Sequence, residues 1–134
     1  MSTMTHTEMH ADHRAWKNEH ATWHDDLRAW EKEVDLALES LEKSKAALTR
    51  HNEALRTHAA AIRLYEQRCA AHEHELARYE RGQETEALAT MAHGHLDETA
   101  KQDELRTVHE QTKRTHHGMI ANCQLLLKLL AGDE

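Results

Sequence analysis

The stretch Ser44–Tyr79 reads SKAALTRHNEALRTHAAAIRLYEQRCAAHEHELARY and decides the fold of this chain. Alternate steps of four and three residues through it select one set of positions, namely Ser44, Leu48, His51, Leu55, His58, Ile62, Tyr65, Cys69, His72, Leu76 and Tyr79. Mainly apolar side chains at this spacing fill the a and d positions of a heptad repeat. The stretch is therefore predicted to be a long amphipathic helix with a coiled-coil-like seam.

The same spacing continues on both sides of this stretch. Toward the N-terminus it selects His6, Met9, His13, Trp16, His20, Trp23, Leu27, Trp30, Val34, Ala37 and Leu41. Beyond Gly82 it selects Leu88, Met91, His95, Glu98, Gln102, Leu105, His109, Thr112, His116, Met119, Cys123, Leu126 and Leu130. No window alternates polar and apolar residues with a period of two, and Pro is absent. An all-α fold without strands is predicted.

The stripes predict an antiparallel bundle of three long helices. We expect these helices at about 5–40, 44–81 and 85–131, within a single domain that spans residues 1–134. A four-helix bundle, or helical hairpins completed by dimerisation, are the alternatives. The first turn has the weakest signal, because the segment 39–44 contains no Gly or Pro and only two serines that could cap a helix.

Local signals mark the other helix ends. Thr5 and Glu8 fit a capping box, in which the hydroxyl and the carboxylate accept hydrogen bonds from free amides of the first turn. Gly82 is the first strong helix breaker, and Gly132 follows the final apolar residue as a C-terminal stop. Gly94 is a further candidate for a break in the last helix.

Composition and charge narrow the class of protein. The chain has 134 residues, and 17 Lys and Arg against 24 Asp and Glu give a formal charge of −7. A nucleic-acid-binding protein needs a basic face, whereas this chain is acidic overall, so nucleic-acid binding is not predicted. No apolar run reaches the roughly 18 residues of a membrane span. The N-terminus lacks the basic start and apolar stretch of a signal peptide, so the cytoplasm is expected.

Histidine is the unusual residue, with 14 copies in the chain. The predicted seam carries nine of them, namely His6, His13, His20, His51, His58, His72, His95, His109 and His116. An imidazole at a seam position, which normally holds an aliphatic residue, needs a polar partner. A turn centred between residues 83 and 84 sets three pairs opposite each other: His51 and His116, His58 and His109, and His72 and His95.

The three-helix arrangement adds a layer that contains His13, His72 and His95, with Glu98 one turn away and His20 nearby. Neutral imidazoles and carboxylates suit transition metals, so these five residues are the predicted metal ligands. Zn is the first expectation for the ion, with Cu, Ni, Co or Fe as alternatives. The secondary ligand candidates are His58, His109, His24 and Cys69. In a register slipped by one heptad, His20 would instead meet His58 and His109.

Three functions are compatible with these patterns. The first is a metal-binding bundle that senses, buffers or stores a transition metal. The second is a metal-free structural or interaction module whose seam histidines fix register or respond to pH. The third is a di-metal or haem oxidoreductase, with haem held between His58 and His109. The sequence contains no nucleophile elbow, phosphate-binding loop or zincin motif, so an enzyme is not the leading expectation.

Apolar side chains beyond those that a three-helix seam would cover favour self-association. They include Trp16, Trp23 and Trp30 on the first helix and Leu125, Leu127 and Leu129 near the C-terminus. A homodimer is expected, in which histidine layers could also meet across the interface. A different protein partner is the alternative.

Overall fold

The computed structural model describes residues 4–132, which form two long α-helices. Helix α1 is His6–Glu80, with 75 residues, and helix α2 is Leu88–Leu130, with 43 residues. Across this described range there is no strand. The predicted all-α class is confirmed, whereas the predicted count of three helices is wrong.

The error lies at the first predicted turn, because the segment 39–44 is helical and belongs to α1. Ending one helix and starting another leaves backbone amides and carbonyls without intrahelical partners. The segment has no Gly or Pro to favour that break, and Leu, Glu and Lys are good helix formers. Two serines do not offset this preference. The predicted helices at 5–40 and 44–81 are therefore one element.

The predicted capping box forms at the start of α1. The backbone N–H of Glu8 donates to Thr5 Oγ1 at 3.1 Å, and the backbone N–H of Thr5 donates to Glu8 Oε2 at 2.8 Å. Two amides that the helix cannot satisfy thus have side-chain acceptors. The carboxylate of Glu8 also lies where the helix dipole favours negative charge.

Gly82 ends α1 as predicted. Its φ of 73° lies in the left-handed region, which residues with a Cβ rarely adopt. The N–H of Gly82 donates to the carbonyl of Tyr79 at 3.0 Å, and that of Gln83 donates to the carbonyl of Arg78 at 3.1 Å. This pair of bonds is a Schellman motif, which satisfies carbonyls of the last turn.

The connection 81–87 is tied to the last turns of α1 by two side chains. Arg78 donates from Nη2 to the carbonyl of Glu84 at 3.0 Å and from Nε to Gln83 Oε1 at 3.3 Å. Glu75 accepts the backbone N–H of Glu86 at 3.3 Å. Helix α2 begins at Leu88, three residues after the predicted start.

Helix α2 continues through Gly94, so the candidate break there is absent. Ala131 follows the last helical residue, and Gly132 adopts a φ of 77°. The N–H of Gly132 donates to the carbonyl of Leu129 at 3.2 Å. The predicted C-terminal stop at Gly132 is thus confirmed.

The chain divides into two compact units, Met1–Ala46 and Ala47–Glu134. We call their described parts the N-terminal unit (residues 4–46) and the hairpin unit (residues 47–132). In the hairpin unit the segment 47–80 of α1 packs along α2 through the predicted seam. Two helices can cover only a narrow stripe, and Met91, 2% exposed, is the one buried residue among residues 4–132. Neither helix carries an apolar stretch that could cross a membrane over the described residues.

Candidate metal centre

The seam of the hairpin unit brings together the histidine pairs that the sequence predicts. Nε2 of His51 lies 3.1 Å from Nδ1 of His116, and Nε2 of His58 lies 3.0 Å from Nδ1 of His109. Each pair is a direct hydrogen bond between two imidazoles. The predicted register between α1 and α2 is therefore confirmed.

The third pair, His72 and His95, differs from the other two because a carboxylate joins it. The two rings are nearly parallel, with centroids 5.6 Å apart and an interplanar angle of 24°. Oε1 of Glu98 lies 3.7 Å from Nδ1 of His72, and Oε2 lies 3.8 Å from Nδ1 of His95. We call His72, His95 and Glu98 the His–His–Glu cluster. It is the one group in residues 4–132 whose three potential ligand atoms all lie within 4.8 Å of one another.

Heptad geometry explains why the cluster forms here. His95 and Glu98 are three residues apart, so they lie on one face of α2. His72 occupies the facing position on α1, where the seam turns it toward both side chains. The side chains of His72 and Glu98 are 16% and 21% exposed, whereas that of His95 is 65% exposed. The cluster is thus half-buried, with one side open to solvent.

An apolar depression of about 290 Å³ borders the cluster. His72 and His95 line one side of it, and the remaining lining residues are Leu76, Leu88, Met91 and Ala92. An apolar border lowers the local dielectric constant and strengthens electrostatic attraction between a bound cation and Glu98.

Tyr65 supports the cluster from the next layer of the seam. Its hydroxyl donates to the backbone carbonyl of Glu98 at 2.7 Å, which ties α1 to the turn of α2 that carries the carboxylate. The pKa of Tyr65 is raised to about 12, first by its contact with the Cys69 thiol, then by burial and by the negative charges of Glu98 and Asp103. Tyr65 occupies a predicted seam position, but its sequence context predicts no role for it. Its spacing of one heptad from His72 is the available signal.

The cluster offers the donor set of a divalent transition metal. In a tetrahedral site with bonds of about 2.0–2.1 Å, neighbouring ligand atoms are about 3.3–3.4 Å apart. The carboxylate–imidazole separations, 3.7 Å from Oε1 to His72 and 3.8 Å from Oε2 to His95, are somewhat longer than this value. The three side chains would therefore have to move closer together to share one ion.

The other predicted ligands lie outside the cluster. His13, His20 and His24 belong to the N-terminal unit, where the ring of His13 contacts Trp16 and that of His20 contacts Trp23, with centroids 5.3 and 5.2 Å apart. The layer predicted to contain His13 depended on a turn within 39–44, which is absent. Metal ligation by these three histidines stays a prediction.

The secondary candidates in the hairpin unit have other neighbours. His58 and His109 bond to each other, and Cys69 is a half-buried free thiol in contact with Tyr65. No protein-family model, curated protein sequence or solved structure matched the chain. Its function is therefore inferred from the geometry of its own residues.

Proposed function

We propose that the hairpin unit binds a divalent transition metal ion through His72, His95 and Glu98, and that the protein senses, buffers or stores this ion. The observation that supports the proposal is the convergence of three donor atoms within 4.8 Å of one another on two helices. Imidazole nitrogen with one carboxylate suits Zn, the first expectation from sequence, and Cu, Ni, Co or Fe also use these donors.

The proposed mechanism is linkage between metal binding and folding. His72 comes from α1 and the other two ligands come from α2, so a bound ion would join the helices near their connection. An ion that binds the folded hairpin alone stabilises it in proportion to the logarithm of metal concentration. Protons compete for the same imidazole nitrogens, so affinity would fall at acidic pH.

The test compares two double variants by titration calorimetry with ZnCl₂ and by elemental analysis of tag-free protein. H72A/H95A removes two ligands, whereas the control H74A/H93A removes two exposed histidines nearby in the sequence that lie outside the cluster. We expect stoichiometric Zn in the control and none in H72A/H95A. Stoichiometric binding retained by H72A/H95A would reject this ligand set. A visible spectrum would show whether coloured iron or haem is present instead.

A second candidate function is a pH-responsive interaction module, favoured by the direct bonds between imidazoles. Each pair, His51 with His116 and His58 with His109, needs one N–H donor and one free lone pair. Double protonation would set two donors face to face. His117 lies beside the first pair, with its ring centroid 6.0 Å from that of His116.

Protonation of both rings removes the lone pair that each of these bonds needs, so this second proposal expects the metal-free fold to lose stability in acid. A free imidazole is protonated near pH 6.5. We expect the melting temperature of metal-free protein to fall between about pH 7.5 and about pH 5. An unchanged melting temperature over this range would reject the pH-responsive module.

The proposal also includes self-association and a cytoplasmic location. Self-association is supported by the large apolar side chains that residues 4–46 leave exposed, three of them tryptophans. The cytoplasm is supported by the two free cysteines, since thiols persist in reducing compartments.

A further inference from the structure

An apolar stripe follows one face of the N-terminal unit. Trp16, Trp23 and Trp30 are 52%, 53% and 56% exposed, and Leu27 and Val34 lie between or beside them, equally open. These five side chains repeat with heptad spacing. A continuous apolar stripe of this size on a helix marks a surface that binds another helix.

The stripe occupies the same heptad positions as the seam in the hairpin unit. The a positions are whole heptads away from Leu48 and Leu55, and they hold His6, His13, His20, Leu27 and Val34. The tryptophans are at d positions, whole heptads away from His51 and His58. In the hairpin unit these phases pack as a two-helix seam that accepts facing imidazoles. The N-terminal unit thus carries the same type of seam, with three histidines.

We propose that residues 6–34 of two copies of this chain pair as a parallel, in-register coiled coil. The inference rests on the self-association proposed above and is independent of the metal site. In this arrangement His6, His13 and His20 would each face their own counterpart in the second copy. Imidazole would thus face imidazole, as it does across the hairpin seam. The tryptophans would fill the intervening layers.

The charges beside the stripe favour a second copy in parallel orientation. The g positions, on one flank, are all acidic: Asp12, Glu19, Asp26 and Glu33. The e positions, on the other flank, are mixed: His10, Lys17, His24 and Glu31. In a parallel pair each g residue faces the e residue five positions later in the partner helix. In an antiparallel pair g faces g, so acids would face acids.

Individual pairs follow from this rule. The parallel arrangement sets Asp12 against Lys17 of the second copy and Glu19 against His24 of the second copy. Asp26 against Glu31 is one like-charge pair. Every antiparallel register instead places the acidic flanks of both copies together, which is unfavourable over the whole length.

Disulfide formation tests orientation in the full chain. In a C69S/C123S background, Val34→Cys at an a position should give a covalent dimer on air oxidation, because the two new thiols share a layer. Lys32→Cys, on the outer face, is the matched control and should stay unlinked. In an antiparallel pair an a position faces a d position, so the V34C thiols would not meet. Circular dichroism would verify that both variants keep their helices.

Charge reversal is expected to change the dimer Kd in opposite directions for the parallel and antiparallel orientations. D12K/E19K places lysines against Lys17 and His24 in the parallel pair, and we expect the dimer Kd to rise about tenfold. Adding K17E/H24E should restore the dimer. In an antiparallel pair D12K/E19K would relieve repulsion between acids and lower Kd.

Molar mass from light scattering completes the test. A monomer at all concentrations would overturn self-association and this pairing together, while zinc binding by the hairpin would be unaffected. A dimer that V34C does not link, or that D12K/E19K tightens, would overturn the parallel pairing alone. A larger assembly would overturn the two-stranded form. A dimer linked by V34C and weakened by D12K/E19K is the expected result.

Discussion

His58 of α1 and His109 of α2 hydrogen-bond directly, with Nε2 of the first ring 3.0 Å from Nδ1 of the second. Removing one ring leaves the other nitrogen without its partner. Because the pair is exposed and water can replace the missing ring, we expect H58L or H109L alone to lower the free energy of unfolding by only about 0.5 kcal/mol, measured by urea denaturation. The double variant H58L/H109L should recover this loss, because two leucines pack in the seam. Additive losses in the double variant would contradict a coupled pair.

Glu98 supplies the charge of the proposed metal site. E98Q keeps the shape of the side chain and removes the negative charge, so we expect the Kd for zinc to rise at least about tenfold. Asp97→Asn is the matched control, since Asp97 is the neighbouring carboxylate outside the cluster. In the wild type, zinc at 100 times its Kd should raise the free energy of unfolding by about 2.7 kcal/mol. Equal losses in E98Q and D97N would indicate a general charge effect.

Two glycines should respond to alanine with opposite signs. Gly82 has a φ of 73°, so Gly82→Ala strains the end of α1 and should lower the free energy of unfolding by about 1 kcal/mol. Gly94 is helical, and an added Cβ would meet nothing within 4 Å. Gly94→Ala should therefore raise the free energy of unfolding by about 0.5–1 kcal/mol. Thermal denaturation of both variants checks the contrast, and stabilisation by G82A would contradict the left-handed cap.

Tyr65 should titrate late, because the fold favours its neutral form. Its pKa is about 12, against an ordinary value of 10. Since the folded pKa is raised, the stabilising contribution is complete below pH 10 and is lost as pH rises toward 12. Tyrosinate absorbance in Tyr79→Phe isolates this group. A midpoint near 10 in folded Y79F would contradict the contact with Cys69 and Glu98.

Much of the hairpin unit could be predicted from sequence because each signal there is local or periodic. Gly82 marks the turn by its conformational freedom, and a turn at that point fixes which heptad of α1 faces which heptad of α2. The pairs His58–His109 and His72–His95 follow from that geometry alone. Glu98 is predicted as a metal ligand because it lies one helical turn from His95.

The turn predicted within 39–44 is wrong, because no residue in that segment opposes the helix and α1 continues through it. Compactness was the reason to expect a fold-back there, and compactness is a property of the whole chain that local propensity does not encode. Tyr65 was missed for a related reason. Its bond to the backbone of Glu98 depends on a carbonyl, which leaves no trace in sequence.

The connection between α1 and α2, residues 81–87, has a consequence for how this protein could diverge. The seam is nearly periodic, so a slide of one heptad would still set His58 opposite a histidine, His116. It would place His72 opposite Gln102 instead of His95. Insertions or deletions in the connection could thus abolish metal binding while every ligand residue stays in place. In related chains the length of this loop, as much as the presence of the ligands, would indicate which of them can hold an ion.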